Sequence, residues 1–263
     1  MRNIALLIEY DGTAYSGWQV QKNGHSIQGA IEKALSGILQ ENIKIVGASR
    51  TDAGVHASGQ VANFLTRTEW GVEKIVHALN STLPRDIAVS RGTVVPNGFH
   101  SRFDAVARKY VYRIVTRRSA LERNLAACFH YDLSLGLMNE AAAFLVGEKS
   151  FKSFTKYADQ QRHFVCKVRR AEWSAGIGWT ISDADPEWSV PGFRFVIESN
   201  RFLHGMVRAI VGTLIDVGRG KISVEEFEEI VLLQKRSFAS MSAPACGLWL
   251  AEVKYSSDLW KGE

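Results

Sequence analysis

The sequence predicts an α/β (α+β) protein of two βαββαβ halves, whose mixed, largely antiparallel sheets are fused to each other. Short apolar segments typical of strands alternate with segments in which apolar residues recur at helical spacing. The same order of elements then occurs a second time along the chain, which is the split βαβ pattern of ferredoxin-like and RRM-like domains. We therefore expect an N-terminal half over residues 1–106 and a C-terminal half over residues 107–263.

The first half begins with a predicted strand over residues 3–10 and continues with an amphipathic helix over residues 26–40. Ser26 is the expected N-cap of that helix, because a hydroxyl there can accept a hydrogen bond from a backbone N–H of the first turn. Two strands, a helix and a final strand complete the half, near residues 43–48, 59–66, 72–81 and 86–95.

The second half repeats this order with one additional helix. Asn200 is expected to cap a helix that begins at Arg201, and Ser223 with Glu226 matches a capping box for the next helix. A further hairpin near residues 177–183 is predicted as an insertion. The predicted elements are strands at 107–116, 164–173, 192–199 and 247–255, and helices near 137–147, 201–217 and 223–235.

The composition is that of a globular protein with a basic surface. The chain has 263 residues, 46% of them hydrophobic and 22% charged, with a net charge of +5. A positive field attracts polyanions such as nucleic acids. The N-terminal apolar run ends at Glu9 after five residues, whereas a signal-peptide core needs about 7–15. No other stretch approaches the roughly 20 apolar residues that span a bilayer, so we expect a cytoplasmic protein with no membrane partner.

The cysteines and histidines predict no metal site. Cys128, Cys166 and Cys246 are widely spaced, and none belongs to a C-x-x-C pair. A structural zinc site needs four ligands that usually occur in close pairs, and no histidine pair has the required spacing. We expect buried or incidental thiols, no metal and no small-molecule cofactor.

The most unusual segment lies between two predicted strands, at residues 48–57, where Arg50, Asp52 and His56 occur close together. One interpretation is a surface turn, because Asp and Gly favour turns. The alternative is a loop that presents a carboxylate beside a guanidinium. A carboxylate paired in this way stays ionised near neutral pH, as a nucleophile or a general base requires.

This segment resembles a known family. Residues 50–57 read R-T-D-A-G-V-H-A, which is similar to the hallmark loop of the transfer-RNA pseudouridine synthases that modify positions 38 to 40. Further resemblance to that family extends over most of the chain, at residues 11–19, 26–28, 99–103, 107–113, 202–208 and 243–250. The resemblance implies the pseudouridine synthase fold, an isomerase activity, and a C-terminal half that completes the active-site cleft.

The resemblance also implies that Asp52 is the catalytic aspartate. Pseudouridine formation breaks the N1–C1′ bond of uridine, turns the base and joins C5 to C1′. A carboxylate can stabilise the oxocarbenium-like charge on the ribose, as it does in glycoside hydrolysis. Asp52 could attack the ribose or remove a proton from it, and the sequence leaves both possibilities open.

Two further catalytic residues follow from the resemblance alone. Tyr110 is implied as the active-site tyrosine that lies against the target base, although a tyrosine in a strand can also be a core residue. Arg208 is implied as the arginine that pairs with the catalytic aspartate, although a solvated helix charge is the commonest fate of arginine. We expect His56 and His204 to be packing residues.

Several basic residues are candidates for RNA contacts. Arg50 is expected to contact a phosphate or to help displace the target base, because a base in a stem must be flipped out before it can react. Arg102, Arg108 and Lys109 belong to a basic stretch with interleaved tyrosines, in which Tyr110 would contact the substrate. Phosphate contact is one interpretation of this stretch, and a solvated strand face is the other.

The expected partners are the anticodon stem-loop of transfer RNA and a second copy of the chain in a homodimer. Three other functions remain open at this point. A non-catalytic RRM-like protein would carry an RNP1 segment, and a base-excising glycosidase would release free uracil. A related pseudouridine synthase would act at other positions in the RNA.

Overall fold

The computed structural model describes residues 1–21, 24–156, 163–176, 191–234 and 239–260. It confirms the predicted α/β class with largely antiparallel strand pairing. The chain forms two compact units, of which unit 1 comprises residues 1–108 and 249–263, and unit 2 comprises residues 109–248. The domain halves expected from the sequence, 1–106 and 107–263, stay a prediction.

The described elements follow one another in this order: β1 (Arg2–Tyr10), α1 (Ile27–Leu39), β2 (Ile45–Gly47), β3 (His56–Thr66), α2 (Val72–Thr82), β4 (Ile87–Val95), β5 (Ala105–Val115), β6 (Ala127–Cys128), α3 (Leu135–Ala143), β7 (Gly147–Ser150), β8 (Val165–Ala175), β9 (Gly192–Ser199), α4 (Met206–Gly218), α5 (Val224–Leu233) and β10 (Leu248–Tyr255). No helix among them is long and apolar enough to cross a membrane.

Unit 1 contains the predicted βαββαβ order. Its strands are arranged β4-β1-β3-β10, with β2 paired to β3. β1 is antiparallel to both β3 and β4, whereas β10 is parallel to β3 and aligns Trp249 with His56. The last described strand, β10, therefore joins the same sheet as the N-terminal strand β1.

The helices of unit 1 confirm the sequence periodicity. The Ser26 hydroxyl accepts a hydrogen bond from Gly29 N at 3.2 Å, as an N-cap should. α1 then buries Ile27, Ile31 and Leu35 on one face. A Cβ built on Gly92 of β4 would lie 2.6 Å from a methyl carbon of Val72, so the missing side chain lets α2 approach the sheet closely.

Unit 2 has the strand order β5-β9-β8-β7, with β6 parallel to β5. α3 contacts α4, α5 and β8. The capping box of α5 is confirmed, because Glu226 N donates to the Ser223 hydroxyl at 3.1 Å and Ser223 N donates to the Glu226 carboxylate at 2.7 Å. Two short strands, β6 and β7, have no counterpart in the predicted pattern.

The prediction that a helix begins at Arg201 with Asn200 as its cap is wrong. α4 begins at Met206, and Gly205 precedes it with a φ of +69°. That left-handed conformation interrupts a right-handed helix, and few residues other than glycine adopt it readily. The Asn200 carboxamide oxygen instead accepts a hydrogen bond from Lys167 N at 2.9 Å.

Two other predictions concern the end of α3 and a hairpin in unit 2. α3 ends at Ala143 rather than near residue 147, and β7 begins at Gly147, which has a φ of +109°. The predicted hairpin near residues 177–183 lies outside the described residues.

Candidate active site

The loop that carries Asp52, residues 48–55, connects β2 to β3. Asp52 is half-buried and Arg50 is exposed. Thr51, which lies between them, and Val55, at the end of the loop, are buried. Val55 N donates to the Asp52 carbonyl at 3.2 Å. Gly54 has a φ of +74°, a left-handed conformation that few residues other than glycine adopt readily. We call this segment the Asp52 loop.

A segment that follows β1 holds the residues on both sides of Asp52. Trp18 N donates to the Thr51 carbonyl at 3.1 Å, and Gly54 N donates to the Tyr15 carbonyl at 3.4 Å. The Tyr10 and Thr51 hydroxyls lie 2.7 Å apart and are buried. These bonds fix the backbone around Asp52, so the position of its carboxylate depends on residues 10–18 as well as on its own loop.

His56, the first residue of β3, connects the end of the loop to two other segments. Its ring is fully buried and stacks on the Trp249 ring, with centroids 4.6 Å apart. Gly12 N donates to its Nδ1 atom at 3.1 Å. A Cβ on Gly12 would lie 2.0 Å from the Val55 carbonyl oxygen. His56 thus packs in the interior, as predicted. Glycine is required at position 12, because the segment that follows β1 meets the Asp52 loop there.

The start of the loop is held by a buried glutamine. The Gln60 carboxamide donates to the Ser49 carbonyl at 2.7 Å and accepts from Ser49 N at 3.2 Å. Ala48 N donates to the Val61 carbonyl at 2.8 Å. The Asp52 loop therefore has its two ends anchored, which leaves little conformational freedom for the residues between them.

Arg108 is a further anchor that sequence reasoning did not identify. Its side chain is buried, and its guanidinium donates to the carbonyls of Ala105 at 3.0 Å, Ala48 at 3.2 Å and Arg102. A signal was present in the sequence, because Arg108 shares one strand face with the buried residues Tyr110 and Tyr112. Alternation in β5 thus favoured a buried arginine over a solvated one.

The other predicted catalytic residues belong to unit 2. Tyr110 is buried in β5. Its ring makes an edge-to-face contact with the Phe202 ring, with centroids 5.0 Å apart. Arg208 is half-buried on α4, and its Nε atom donates to the Ala243 carbonyl at 2.8 Å. Arg208 is therefore partly enclosed and not a freely solvated helix charge.

The charge of Arg208 also affects its surroundings. Burial raises the pKa of the Tyr112 hydroxyl well above its ordinary value, and the nearby Arg208 charge opposes this increase. Burial likewise raises the pKa of the Cys246 thiol, again against the influence of Arg208. The Tyr112 hydroxyl remains protonated near neutral pH and donates to the Pro244 carbonyl at 2.8 Å.

The remaining predicted RNA contacts differ in exposure. Arg50 and Arg102 are exposed in unit 1, and Lys109 is half-buried in unit 2. Within the described ranges, no group of three or more His, Cys, Asp and Glu side chains is arranged to hold a metal ion. The chemistry available at the Asp52 loop is that of a carboxylate on a rigid backbone.

Comparisons with known proteins define first the class and then the family. A sequence model described as tRNA pseudouridine synthase matches residues 6–104 and 141–256. A tRNA pseudouridine synthase A from Bacteroides fragilis is 42% identical over 257 residues, which cover 97% of each chain. The enzymes of that name from Bacteroides thetaiotaomicron and Acetivibrio thermocellus are each 40% identical, over 100% and 97% of this chain and 94% and 100% of their own.

These matches define the chain as an enzyme of the isomerase class. The chain belongs to the tRNA pseudouridine synthase family. The sequence resemblance at residues 50–57 is thereby confirmed at the level of the family.

Proposed function

We propose that this enzyme converts uridine to pseudouridine at positions 38, 39 or 40 in the anticodon stem-loop of transfer RNA, with Asp52 as the essential carboxylate. The observation that supports this most strongly is the Asp52 loop, whose family motif is held on both sides of Asp52, by a hydrogen bond from Trp18 N to the Thr51 carbonyl and one from Gly54 N to the Tyr15 carbonyl. Relatives of similar length bear the name tRNA pseudouridine synthase A.

In the proposed reaction, the Asp52 carboxylate stabilises positive charge on the ribose as the N1–C1′ bond breaks. The uracil then turns, its C5 atom bonds to C1′, and the C5 proton leaves while N1 gains one, so the RNA keeps its mass. A negative charge held rigidly where positive charge develops needs no reorganisation during the reaction. The anchored loop meets that requirement.

Tyr110 and Arg208 are proposed as the other catalytic residues on the basis of the family resemblance.

Arg50, Arg102 and Lys109 are proposed as RNA contacts, which the net charge of +5 supports. Binding should then weaken steeply as salt increases, because bound Lys and Arg release counterions from the phosphates. The homodimer and the cytoplasmic location stay predictions.

The test of this function is site-by-site mapping on unmodified transfer RNA. Substrates that carry a single uridine at position 38, 39 or 40 are incubated with the enzyme, and carbodiimide-reactive pseudouridine and free uracil are both measured. Pseudouridine at one or more of these positions is expected. Free uracil would indicate a base-excising enzyme, binding without either product would favour a non-catalytic RNA-binding protein, and pseudouridine elsewhere would correct the positions.

Substitutions of Tyr110 should separate the role of its hydroxyl from that of its ring. If the ring packs on the target base, Tyr110→Phe keeps a stacking contribution of about 1–3 kcal/mol and Tyr110→Ala loses it. If the hydroxyl moves a proton, Tyr110→Phe binds RNA normally and turns over slowly. We expect Tyr110→Ala to be the weaker binder, as measured by RNA affinity and single-turnover rate.

The buried position of Tyr110 calls for a folding control, because the ring also packs against Phe202. Phe202→Leu removes the aromatic partner and leaves Tyr110 in place. Circular dichroism then shows whether all three variants are folded. Full activity in both Tyr110 variants would show that the residue is structural.

We propose that Arg108 positions the Asp52 loop and does not bind a phosphate. Its guanidinium is occupied by three backbone carbonyls, and a lysine ammonium lacks the planar geometry to bridge them. Arg108→Lys should therefore lower kcat by about 10- to 100-fold, the effect of a small displacement of a reacting group. RNA affinity should keep its dependence on salt.

Arg102→Ala is the matched comparison, since Arg102 is exposed and proposed to contact RNA. Its loss should reduce the slope of binding against salt by about one unit, as removal of one phosphate contact does. If Arg108→Lys reduced the slope of RNA binding against salt and left kcat unchanged, Arg108 would be an RNA contact and not a positioning residue.

A further inference from the structure

A turn at residues 100–104 presents an exposed aromatic ring close to two basic side chains. Phe103 is 74% exposed. Its ring centroid lies 4.3 Å from that of His100, and the Arg102 guanidinium lies 5.5 Å from its centre. One exposed apolar side chain is ordinary. A phenyl ring held beside an imidazole and a guanidinium is a composite surface, which we call the Phe103 platform.

The backbone of this turn is rigid. Phe103 N and Asp104 N both donate to the His100 carbonyl, at 3.1 and 3.0 Å. The Asp104 carboxylate accepts a hydrogen bond from His100 N at 2.8 Å. Ordering a flexible loop reduces binding affinity, and a preorganised turn avoids that cost.

A buried serine fastens the turn to the sheet beneath it. Ser101 is fully buried and its N–H donates to the Asn63 carboxamide at 2.9 Å. The Ser101 carbonyl accepts from the Tyr255 hydroxyl at 2.7 Å, and its own hydroxyl donates to the Val46 carbonyl. The exposed ring thus stands on a fixed base formed by β2, β3 and β10.

The Phe103 platform lies beside the Asp52 loop. The same Arg108 nitrogen donates to the Arg102 carbonyl and to the Ala48 carbonyl, where the loop starts. Asp52 follows Ala48 after four residues, so even an extended chain would separate their Cα atoms by no more than about 14 Å. Both features belong to unit 1.

We propose that His100, Arg102 and Phe103 form a stacking site for a nucleobase of the RNA substrate next to the uridine on which Asp52 acts. This inference rests on the proposed function. Flipping a uridine out of a stem removes a stacking partner from its neighbours, and the Phe103 ring can replace that partner. The Arg102 charge adds a cation–π contact with the base.

Stacking on a ring also matches the proposed range of targets. The base beside position 38, 39 or 40 differs from one target and one transfer RNA to another. Every nucleobase has a π-face, so stacking tolerates these differences, whereas hydrogen-bonded readout of base edges does not.

The test compares three substitutions of Phe103 by measuring Kd for unmodified transfer RNA across a series of salt concentrations. Phe103→Ala should raise Kd by about 5- to 140-fold, which corresponds to the 1–3 kcal/mol of one stacked base. Phe103→Leu keeps an apolar side chain without a π-face and should resemble Phe103→Ala, whereas Phe103→Trp should bind as tightly as wild type. The salt slope should be the same in all, because no phosphate contact is lost.

Leu121→Ala is the matched control, because Leu121 is equally exposed at 74% but belongs to a different surface segment. It should leave Kd unchanged. Wild-type affinity in Phe103→Ala, or in Phe103→Leu, would overturn the stacking site. A change of oligomeric state in Phe103→Ala, measured by sedimentation, would overturn it too, since the ring would then contact a second copy of the chain.

Two outcomes distinguish the stacking site from the proposed function. If wild-type enzyme forms pseudouridine in transfer RNA while Phe103→Ala keeps full affinity, only the stacking site is wrong. If wild-type enzyme forms none at positions 38 to 40, the proposed function fails whatever the Phe103 variants bind.

Discussion

Replacing Asp52 by Asn is expected to lower the single-turnover rate of pseudouridine formation by on the order of 10³-fold or more. The amide keeps the shape of the side chain and its place in the braced loop, but it carries no charge to stabilise an oxocarbenium-like ribose. RNA affinity should change little, because it depends mainly on basic residues and phosphates.

The control for this substitution is Asp258→Asn. Asp258 is an exposed carboxylate whose oxygen accepts a hydrogen bond from Trp260 N at 3.0 Å, and an amide oxygen can accept the same bond. That variant should retain the wild-type rate. Substantial turnover by Asp52→Asn protein shown by mass spectrometry to be free of deamidation would remove Asp52 from the catalytic role.

Replacing Gly17 by Ala should both destabilise the protein and slow the reaction. Gly17 has a φ of +95°, and a Cβ there would lie 2.6 Å from the Thr51 carbonyl oxygen and 3.0 Å from the Asp52 carbonyl carbon. The conformation and the clash together should reduce the free energy of unfolding by about 2–5 kcal/mol. The displaced carboxylate should reduce kcat by about 100-fold.

The comparison variant is Gly37→Ala, in the exposed part of α1, where an added Cβ meets no atom within 4 Å. Alanine in a helix should stabilise the protein by about 0.5–1 kcal/mol there. Denaturant unfolding and single-turnover assays on both variants measure the difference. A Gly17→Ala enzyme with wild-type stability and kcat would show that the Asp52 loop does not depend on close contact with this segment.

Local sequence signals were sufficient for most of unit 1 and for the start of α5 in unit 2. Hydrophobic periodicity and a hydroxyl cap determined α1, and the capping box at Ser223 determined the start of α5. The start of α4 could not be read in the same way. Apolar spacing continues upstream of Met206, but Gly205 has a left-handed conformation and the helix begins only after it. Backbone conformation leaves no trace in hydrophobic periodicity.

The chemistry of the site could be predicted in part from the sequence, but the hydrogen bonds that hold the Asp52 loop could not. The motif around Asp52 identified the family and led to the prediction that Asp52 is the catalytic carboxylate. The bonds from Trp18 to Thr51 and from Arg108 to Ala48 join residues far apart in the chain. Such contacts depend on the tertiary fold, so the amino-acid sequence alone gives no direct indication of them.

The parallel pairing of β10 with β3 has a consequence for synthesis of the enzyme on the ribosome. His56 stacks on Trp249, and Tyr255 supports the turn at Ser101. Both partners are translated only after the whole of unit 2. Contacts between residues so distant in sequence form slowly, and N-terminal segments generally begin to fold while synthesis continues. The nascent chain therefore carries the Asp52 loop long before β10 is synthesised, and the stacking of His56 on Trp249 can form only after unit 2 has been translated.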